Sequence, residues 1–179
     1  AERIALFVAM ANKVAASVTR VASFDEVPGA VAAYLREKNL PASVRMGADP
    51  RLATLPWGRE STLEVKTGPS DGLDEAGVSR ALGAIAETGT LALASGPDNP
   101  VTISFLPEHH IVILDARDVA GDMEAVFAAV AARYGKGTLP RTLNLVTGPS
   151  RSGDIEQTII LGAHGPRALH VVLVDENTA

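Results

Sequence analysis

The fold is decided by two apolar runs and the helix between them: HIVILDARD at residues 110–118, DMEAVFAAVAARYGKG at residues 122–137 and LHVVLVD at residues 169–175. Both apolar runs are rich in Val, Ile and Leu and have the length of a strand that is buried on both faces. The middle segment predicts a helix from about Asp122, with the glycines of its final GKG as stop signals. Strand, helix and strand in succession predict an α/β domain with a mostly parallel sheet.

Two helices are predicted ahead of that core. Apolar residues recur at a spacing near 3.6 through residues 1–23, and a second helix begins near Pro28 and ends before Pro41. We therefore expect a single domain in which residues 1–40 form a helical cover and residues 41–179 form the α/β core. Two short elements are predicted at the start of the core: a strand in SVRMG (residues 43–47) and a short helix or turn in DPRLATL (residues 49–55).

One pattern occurs three times: TLEVKTGPS at residues 62–70, TLALASGPD at residues 90–98 and TLNLVTGPS at residues 142–150. Each copy has the alternating pattern of a strand and ends in a hydroxyl residue followed by Gly and Pro. The preference of Gly and Pro for turns is enough to explain these endings. An internal duplication is a second explanation, although so short a match arises easily among strands of one sheet. A third is functional, because ligands of open α/β sheets bind beyond the carboxyl ends of the strands, where these loops would gather.

Composition excludes several classes of protein. The 179 residues are 46% apolar, 21% charged and 4% aromatic, with a net charge of −5, which argues against a nucleic-acid partner. There is no cysteine, and thus no disulfide, thiolate zinc site or cysteine-held iron–sulfur cluster. No apolar run is long enough for a membrane span, so we expect a cytoplasmic protein. The sequence contains no dinucleotide-binding glycine motif, Walker A lysine or nucleophile elbow.

The stretch TGPSRSGDIE at residues 147–156 carries the residue types of an anion site. Glycines let backbone amides approach a ligand, and hydroxyls and an arginine fork add donors. We also expect Asp154 to cap a helix over IEQTIILGAH (residues 155–164), whose first amides would favour an anion. The alternative is that Arg151 pairs with Asp154 or Glu156 and only fixes the loop. The candidate ligand-binding residues here are Gly148, Ser150, Arg151, Ser152, Gly153 and Asp154.

Glu87 lies where an apolar run meets the turn that leads into the next strand. A carboxylate there could act as nucleophile or general base, or be a hydrogen-bonded turn residue. The Thr88, Gly89 and Thr90 that follow could present a backbone nest to a carboxylate or phosphate.

The four histidines do not have the spacing of metal ligands. Adjacent strand residues point to opposite faces, so His109 and His110 cannot easily chelate one metal, and no bound metal is expected. His164 precedes a tight Gly-Pro turn and is a candidate catalytic residue together with Glu87. His170 begins the last apolar run and is expected to pack in the core.

With these residues in view, the chain resembles the LutC-type lactate utilization protein C family, which carries the LUD domain. The resemblance covers about residues 77–175 and depends on AIAETGTLAL, FLPEHHIVIL and above all TGPSRSGDIEQTIILGAHGPRALHVVLVD. Two departures are mild: Ser152 and Gly153 stand where the family has Thr-Ala, and His109 precedes His110 where the family has a single His.

This resemblance implies a Rossmann-like three-layer α/β/α sandwich of the NagB/RpiA/CoA-transferase-like type. It also implies the cluster-free subunit of a three-protein system that oxidises L-lactate to pyruvate, with iron–sulfur clusters in the two partner proteins. Together with the residue types of TGPSRSGDIE, it leads us to expect a small anionic ligand such as lactate in this chain. It supplies no proven catalytic residue. Two other functions stay open: an independent CoA-transferase-like or sugar-phosphate-isomerase-like enzyme that uses Glu87, and a small-molecule sensor.

Overall fold

The computed structural model describes residues 1–135, 140–155, 158–161 and 164–176, with only the backbone of residues 152–161. In chain order its helices are α1 (Glu2–Lys13), α2 (Val27–Glu37), α3 (Pro50–Ala53), α4 (Val101–Phe105) and α5 (Met123–Tyr134). The strands are β1 (Ser17–Val21), β2 (Ser43–Met46), β3 (Glu64–Thr67), β4 (Ala76–Arg80), β5 (Gly83–Ile85), β6 (Thr90–Ala94), β7 (His109–Asp115), β8 (Val119–Ala120), β9 (Leu143–Val146), β10 (Arg151–Ile155), β11 (Thr158–Leu161) and β12 (Ala168–Val174). Short 3₁₀ turns lie at Phe24–Glu26, Trp57–Arg59 and Ala116–Asp118.

A six-stranded sheet in the order β1-β12-β7-β4-β2-β3 forms the centre of the domain, and every pairing in it is parallel. The two apolar runs of the sequence, β7 and β12, are neighbours at its middle, and all but the first residues of each are buried. Burial on both faces explains why these strands are continuously apolar rather than alternating.

Each face of this sheet packs against its own cluster of apolar side chains. On one face, Val31 and Leu35 of α2 pack with Ile111 and Val172 of the sheet. On the other face, Phe7 and Ala11 of α1 pack in a cluster with Leu114 and Leu173, and α4 approaches β4. The predicted α/β sandwich with a mostly parallel sheet is confirmed, as are the predicted elements β2, α3, β7, α5 and β12.

A second, smaller sheet lies beside α1 and was not expected from the sequence. Its order is β8-β5-β6-β9, with β6 antiparallel to both of its neighbours. Leu91 and Leu93 of β6 join the same apolar cluster as α1, and Val126 of α5 packs against Ile85 on the small sheet. The small mixed sheet therefore covers part of one face of the central sheet, and α5 packs against the small sheet.

The predicted first helix is too long. It ends at Lys13, and residues 17–21 instead form β1, an edge strand parallel to β12. The β-branched residues Val18, Thr19 and Val21 favour a strand, and pairing with β12 decides the outcome that the 3.6-residue spacing left ambiguous. The stretch predicted as a helical cover thus also contributes to the central sheet.

The helix predicted over residues 155–164, with Asp154 as its cap, is wrong. Residues 151–155 and 158–161 form the antiparallel hairpin β10–β11. The β-branched run in TIIL favours a strand, and its cross-strand pairing overrides any helical tendency. Residues 156–157 and 162–163 lie outside the described residues. The segment after Thr147 therefore leads from an edge strand of the small sheet into a hairpin, not into a helix.

The three Gly-Pro loops do not gather at one edge. The first follows β3 of the central sheet, whereas the second and third follow the antiparallel strands β6 and β9 of the small sheet. Because β6 and β9 run in opposite directions, their carboxyl ends point apart. The structure therefore contradicts the shared carboxyl-edge site that the repeated pattern suggested.

Candidate functional site

The loop after β9 forms one wall of a cavity of about 310 Å³. The cavity lies at the amino ends of β7 and β12, since His110 and Leu169 are the second residues of those strands and both line it. This is the edge opposite to the one predicted from the sequence. The cavity is lined by Ser104, Phe105, His110, Leu145, Val146, Thr147, Gly148, Pro149, Ser150, Arg151, His164, Gly165, Pro166 and Leu169.

The loop is held close to the end of α1 and to the turn before β12. Gly148 has φ of +73°, and a Cβ built on it would lie 2.2 Å from the carbonyl oxygen of Val14. Only glycine allows this combination of positive φ and close backbone approach. The amide of Ser150 donates to the carbonyl of Pro166 at 2.8 Å. This amide is therefore already satisfied within the protein.

A chain of hydroxyls connects this loop to the turn between β5 and β6. Thr88 Oγ1 and Thr90 Oγ1 are 2.7 Å apart, and Thr90 Oγ1 and Thr147 Oγ1 are also 2.7 Å apart. Gly89, with φ of +67°, lies against α1, where a Cβ would meet a backbone nitrogen at 2.5 Å. Its own amide donates to Ile85. Packing on α1 thus holds the Thr-Gly-Thr turn in place beside the loop, and its role as an anion-binding nest stays a prediction.

Glu87 is exposed in the same turn and does not line the cavity that Arg151 and His164 line. The structure therefore brings together two parts of the predicted site, Arg151 and His164, and leaves the predicted carboxylate outside. Its role as nucleophile or base stays a prediction.

Arg151 and His164 are both exposed and line the cavity, and the half-buried Ser150 lines it as well. A guanidinium fork, an imidazole and a hydroxyl together suit a small anion with several oxygens. Ser152, Gly153 and Asp154 follow in β10. Their side-chain positions, and any pairing of Arg151 with Asp154 or Glu156, lie outside the described residues.

His110 is the residue of this cavity that the sequence-based prediction missed. Its ring is 1% exposed, and its Nε2 lies 2.5 Å from Ser79 Oγ on β4. No hydrogen-bond partner for Nδ1 is found among the described residues. Burial lowers the pKa of His110 to about 4, so the ring is neutral at physiological pH. A neutral imidazole whose buried Nδ1 has no partner among the described residues can form one more hydrogen bond.

The sequence contained one signal for this assignment. The predicted opposite orientation of His109 and His110 is confirmed, since His109 bonds Tyr34 Oη at 2.8 Å on the α2 face while His110 bonds Ser79 on the other. His170 is buried as predicted and stacks on Tyr34 with ring centroids 4.4 Å apart. His110 therefore faces the side of the sheet on which α4 and the loop after β9 leave a cavity, whereas His109 faces α2.

Within the described ranges, no three His, Asp or Glu side chains gather in a way that could hold a metal ion. The same part of the chain contains no helix with both the length and the apolar character needed to cross a bilayer.

The fold and the cavity define a class: a parallel three-layer α/β domain with a cationic, histidine-containing cavity at one end of its central strands. The chain matches the LUD domain over residues 4–174, and it belongs to the LUD-domain family.

Comparison with individual proteins agrees with this assignment. The chain is 39% identical over 93 residues to lactate utilization protein C of Geobacillus sp. (strain WCH70), a match that covers 51% of this chain and 39% of that protein. It is 33% identical over 92 residues to lactate utilization protein C of Shouchella clausii (strain KSM-K16), covering 51% and 40%. The matches therefore span about two fifths of the length of these relatives.

A solved structure extends the comparison to the whole fold. The crystal structure of a DUF162 family protein from Deinococcus radiodurans matches with a TM-score of 0.70 and 24% identity, covering 97% of this chain and 96% of that one. At this identity the likeness shows a shared fold.

Proposed function

We propose that this chain is the cluster-free LUD-domain component of an L-lactate utilization system, and that the cavity at the amino ends of β7 and β12 holds a small anion such as lactate. The names of the relatives support the first part. The observation that carries the second part is the convergence of Arg151, His164 and the buried His110 on one cavity.

The carboxylate of the ligand pairs with Arg151. A guanidinium offers two parallel N–H donors, which match the two oxygens of a carboxylate. Ser150 and His164 line the same wall and can donate to oxygens that the fork leaves free. The exposed position of Arg151 and His164 lets the ligand enter from solvent.

The α-hydroxyl of the ligand bonds His110 in this proposal. Because Nε2 is engaged by Ser79, Nδ1 is the ring nitrogen that remains for the hydroxyl. A ring with a pKa of about 4 is uncharged at neutral pH. Its Nδ1 can accept a hydrogen bond from the hydroxyl in one tautomer, or donate a hydrogen bond to it in the other. One cation and one neutral hydrogen-bonding ring match the two functional groups of a 2-hydroxy acid.

The redox centres belong to partner proteins in this proposal. The sequence has no cysteine, so it supplies no thiolate ligand for an iron–sulfur cluster. We place the clusters in two iron–sulfur lactate utilization proteins and assign ligand binding and orientation to this chain. A cytoplasmic location is part of the same proposal.

The role in lactate utilization is tested in source cells that lack the chain. Lactate-dependent dye reduction in their extracts is expected to be lost and to return with the wild-type chain but not with Arg151→Gln. Arg167→Gln is the matched control, because Arg167 is exposed, pairs with Glu108 at 3.5 Å and does not line the cavity. Unchanged dye reduction without the chain contradicts the proposed role. Equal activity of Arg151→Gln and Arg167→Gln contradicts the proposed cavity.

Ligand binding is tested separately by calorimetric titration of the purified chain with L-lactate and with propionate, which lacks the hydroxyl. Arg151→Gln is expected to weaken L-lactate binding by about tenfold to a hundredfold, the usual loss for a charged hydrogen bond. His110→Asn is expected to narrow the preference for L-lactate over propionate. Equal affinity of the wild-type chain for both compounds contradicts the role of His110.

A further inference from the structure

A second cavity, of about 330 Å³, lies at the opposite edge of the central sheet and is lined by three arginines. Arg80 is the last residue of β4, Arg133 is in the last turn of α5, and Arg141 precedes β9. Because β4 is parallel to its neighbours, this is the carboxyl edge of the sheet, where open α/β folds bind their ligands. The function proposed above does not use this cavity.

A buried carboxylate fixes the orientation of Arg80. Asp49 is 6% exposed, and its Oδ2 accepts a hydrogen bond from Arg80 Nε at 2.9 Å. Its Oδ1 accepts from the amides of Arg51 and Leu52 at the start of α3, at 2.9 and 3.1 Å. Asp49 is thus held by α3 and holds Arg80 in turn. Among the described residues no hydrogen bond engages the two Nη groups of Arg80, which leaves one edge of a positioned fork at the cavity.

The loop after β6 forms a closely packed wall beside these arginines. Its Asp98 carbonyl approaches Gly47 so closely that a Cβ on Gly47 would lie 2.2 Å from it. Asn99 is buried, and its Nδ2 donates to the carbonyl of Ala94 at 3.1 Å. The loop, residues 95–99, is the second Gly-Pro stretch of the sequence. Its contacts give the cavity a fixed side.

The charges at this cavity favour an anion with more than one negative charge. Three guanidinium groups line it, against the carboxylates of Asp49 and Asp98, and Asp49 is already committed to Arg80 and α3. Burial raises the pKa of Asp118, and the nearby charges of Arg80 and Arg133 partly offset that rise, but Asp118 does not line the cavity. The cavity also falls within the size range of small-molecule sites.

We propose that this arginine cavity binds the phosphate or diphosphate group of a small phosphorylated molecule. A phosphate presents three oxygens and up to two charges, which several arginine forks can share, whereas a monocarboxylate presents two oxygens and one charge. Tyr134 also lines the cavity, with the Arg133 guanidinium 5.9 Å from its ring centroid, so an aromatic side chain lies beside the arginines. This site is independent of the proposed lactate cavity.

Inorganic pyrophosphate is the probe for this site, titrated into the purified chain by calorimetry and followed by amide chemical shifts. Saturable binding is expected, with the largest shifts in residues 95–99. Arg133→Gln and Arg141→Gln are each expected to weaken binding by about tenfold or more. Both are exposed, so neither change disturbs the buried pair of Arg80. Arg36→Gln, on the exposed face of α2, is the matched control and keeps wild-type affinity.

Three results would overturn the proposal. One is a wild-type chain that shows no saturable pyrophosphate binding up to about 10 mM. Another is equal weakening by the arginine variants and the Arg36→Gln control. The third is a set of shifts centred on residues 147–151, which would place the anion in the other cavity. Arg151→Gln separates the two proposals, because it is expected to reduce L-lactate binding while leaving pyrophosphate binding unchanged.

Discussion

The buried His110 makes the stability of the protein depend on pH in a predictable way. Desolvation lowers its pKa from 6.5 to about 4 in the folded chain, whereas the unfolded chain has the ordinary value. Between these two values the unfolded chain binds a proton on this ring that the folded chain does not. The free energy of unfolding therefore falls as the pH decreases from 6.5 to 4.

The size of this loss follows from the shift. A difference of about 2.5 pKa units corresponds to about 3 kcal/mol at full protonation of the unfolded state, of which about 2 kcal/mol is lost by pH 4.5. The pKa of His170 is also lowered to about 4, again mainly by burial, so this ring contributes a similar loss of unfolding free energy. The two rings lie on opposite faces of the sheet and have different hydrogen-bond partners, Ser79 and Ser17, so their shares are expected to add.

Urea unfolding at about pH 7 and about pH 4.5 measures this effect in the wild-type chain and in His110→Asn. The loss between the two pH values is expected to be about 2 kcal/mol smaller in His110→Asn, whatever the variant costs at neutral pH. His170→Asn is the parallel variant, and the variant with both changes should lose the least unfolding free energy between the two pH values. An unchanged pH difference in His110→Asn would refute the assignment of a buried neutral ring at this position.

Three further predictions concern stability and are checked by urea unfolding at neutral pH. Gly148→Ala is expected to cost about 2–4 kcal/mol, because its Cβ would collide with a backbone oxygen 2.2 Å away at positive φ. Gly68→Ala is the control, because Gly68 has φ of +117° and its Cβ would meet nothing within 4 Å, so only backbone strain is expected. Equal costs of the Gly148 and Gly68 variants would disprove the close contact of Gly148 with Val14. Asp49→Asn is expected to cost about 2 kcal/mol, because it removes the ion pair with Arg80. Asp49→Ala is expected to cost about 1 kcal/mol more, because it also removes the cap of α3. Equal costs of the two variants would argue against the cap. Ser79→Ala should cost about 1–3 kcal/mol, since it leaves both nitrogens of a buried imidazole unpaired, and a neutral outcome would contradict that hydrogen bond.

The candidate site shows where prediction from residue types succeeds and where it stops. Arg151 was identified from the donors it carries and His164 from its position before a Gly-Pro turn, and both line one cavity. Glu87 was chosen for its position in the turn before a strand and lies outside that cavity, since which loops meet depends on strand order. His110 was treated only as an unsuitable metal ligand, because the burial that gives it an unusual pKa comes from residues far away in the chain.

The arginine cavity illustrates the same limit. Arg80, Arg133 and Arg141 belong to three different elements, and no spacing in the sequence connects them. Asp49 likewise reads as an ordinary helix cap until the sheet brings it to Arg80. Long-range pairs of this kind become visible only when the order of the strands is known.

The sequence by itself determined the elements whose signals are local. The apolar runs of β7 and β12 and the capped helix α5 follow from residue type and periodicity within a few turns or strand repeats. Tertiary structure decided the rest: that residues 17–21 and 158–161 are strands, that β6 and β9 form a separate antiparallel sheet, and that the third Gly-Pro loop lies at the amino edge. The physical reason is that short β-branched segments take their conformation from the strand they pair with, and that partner lies far away in the chain.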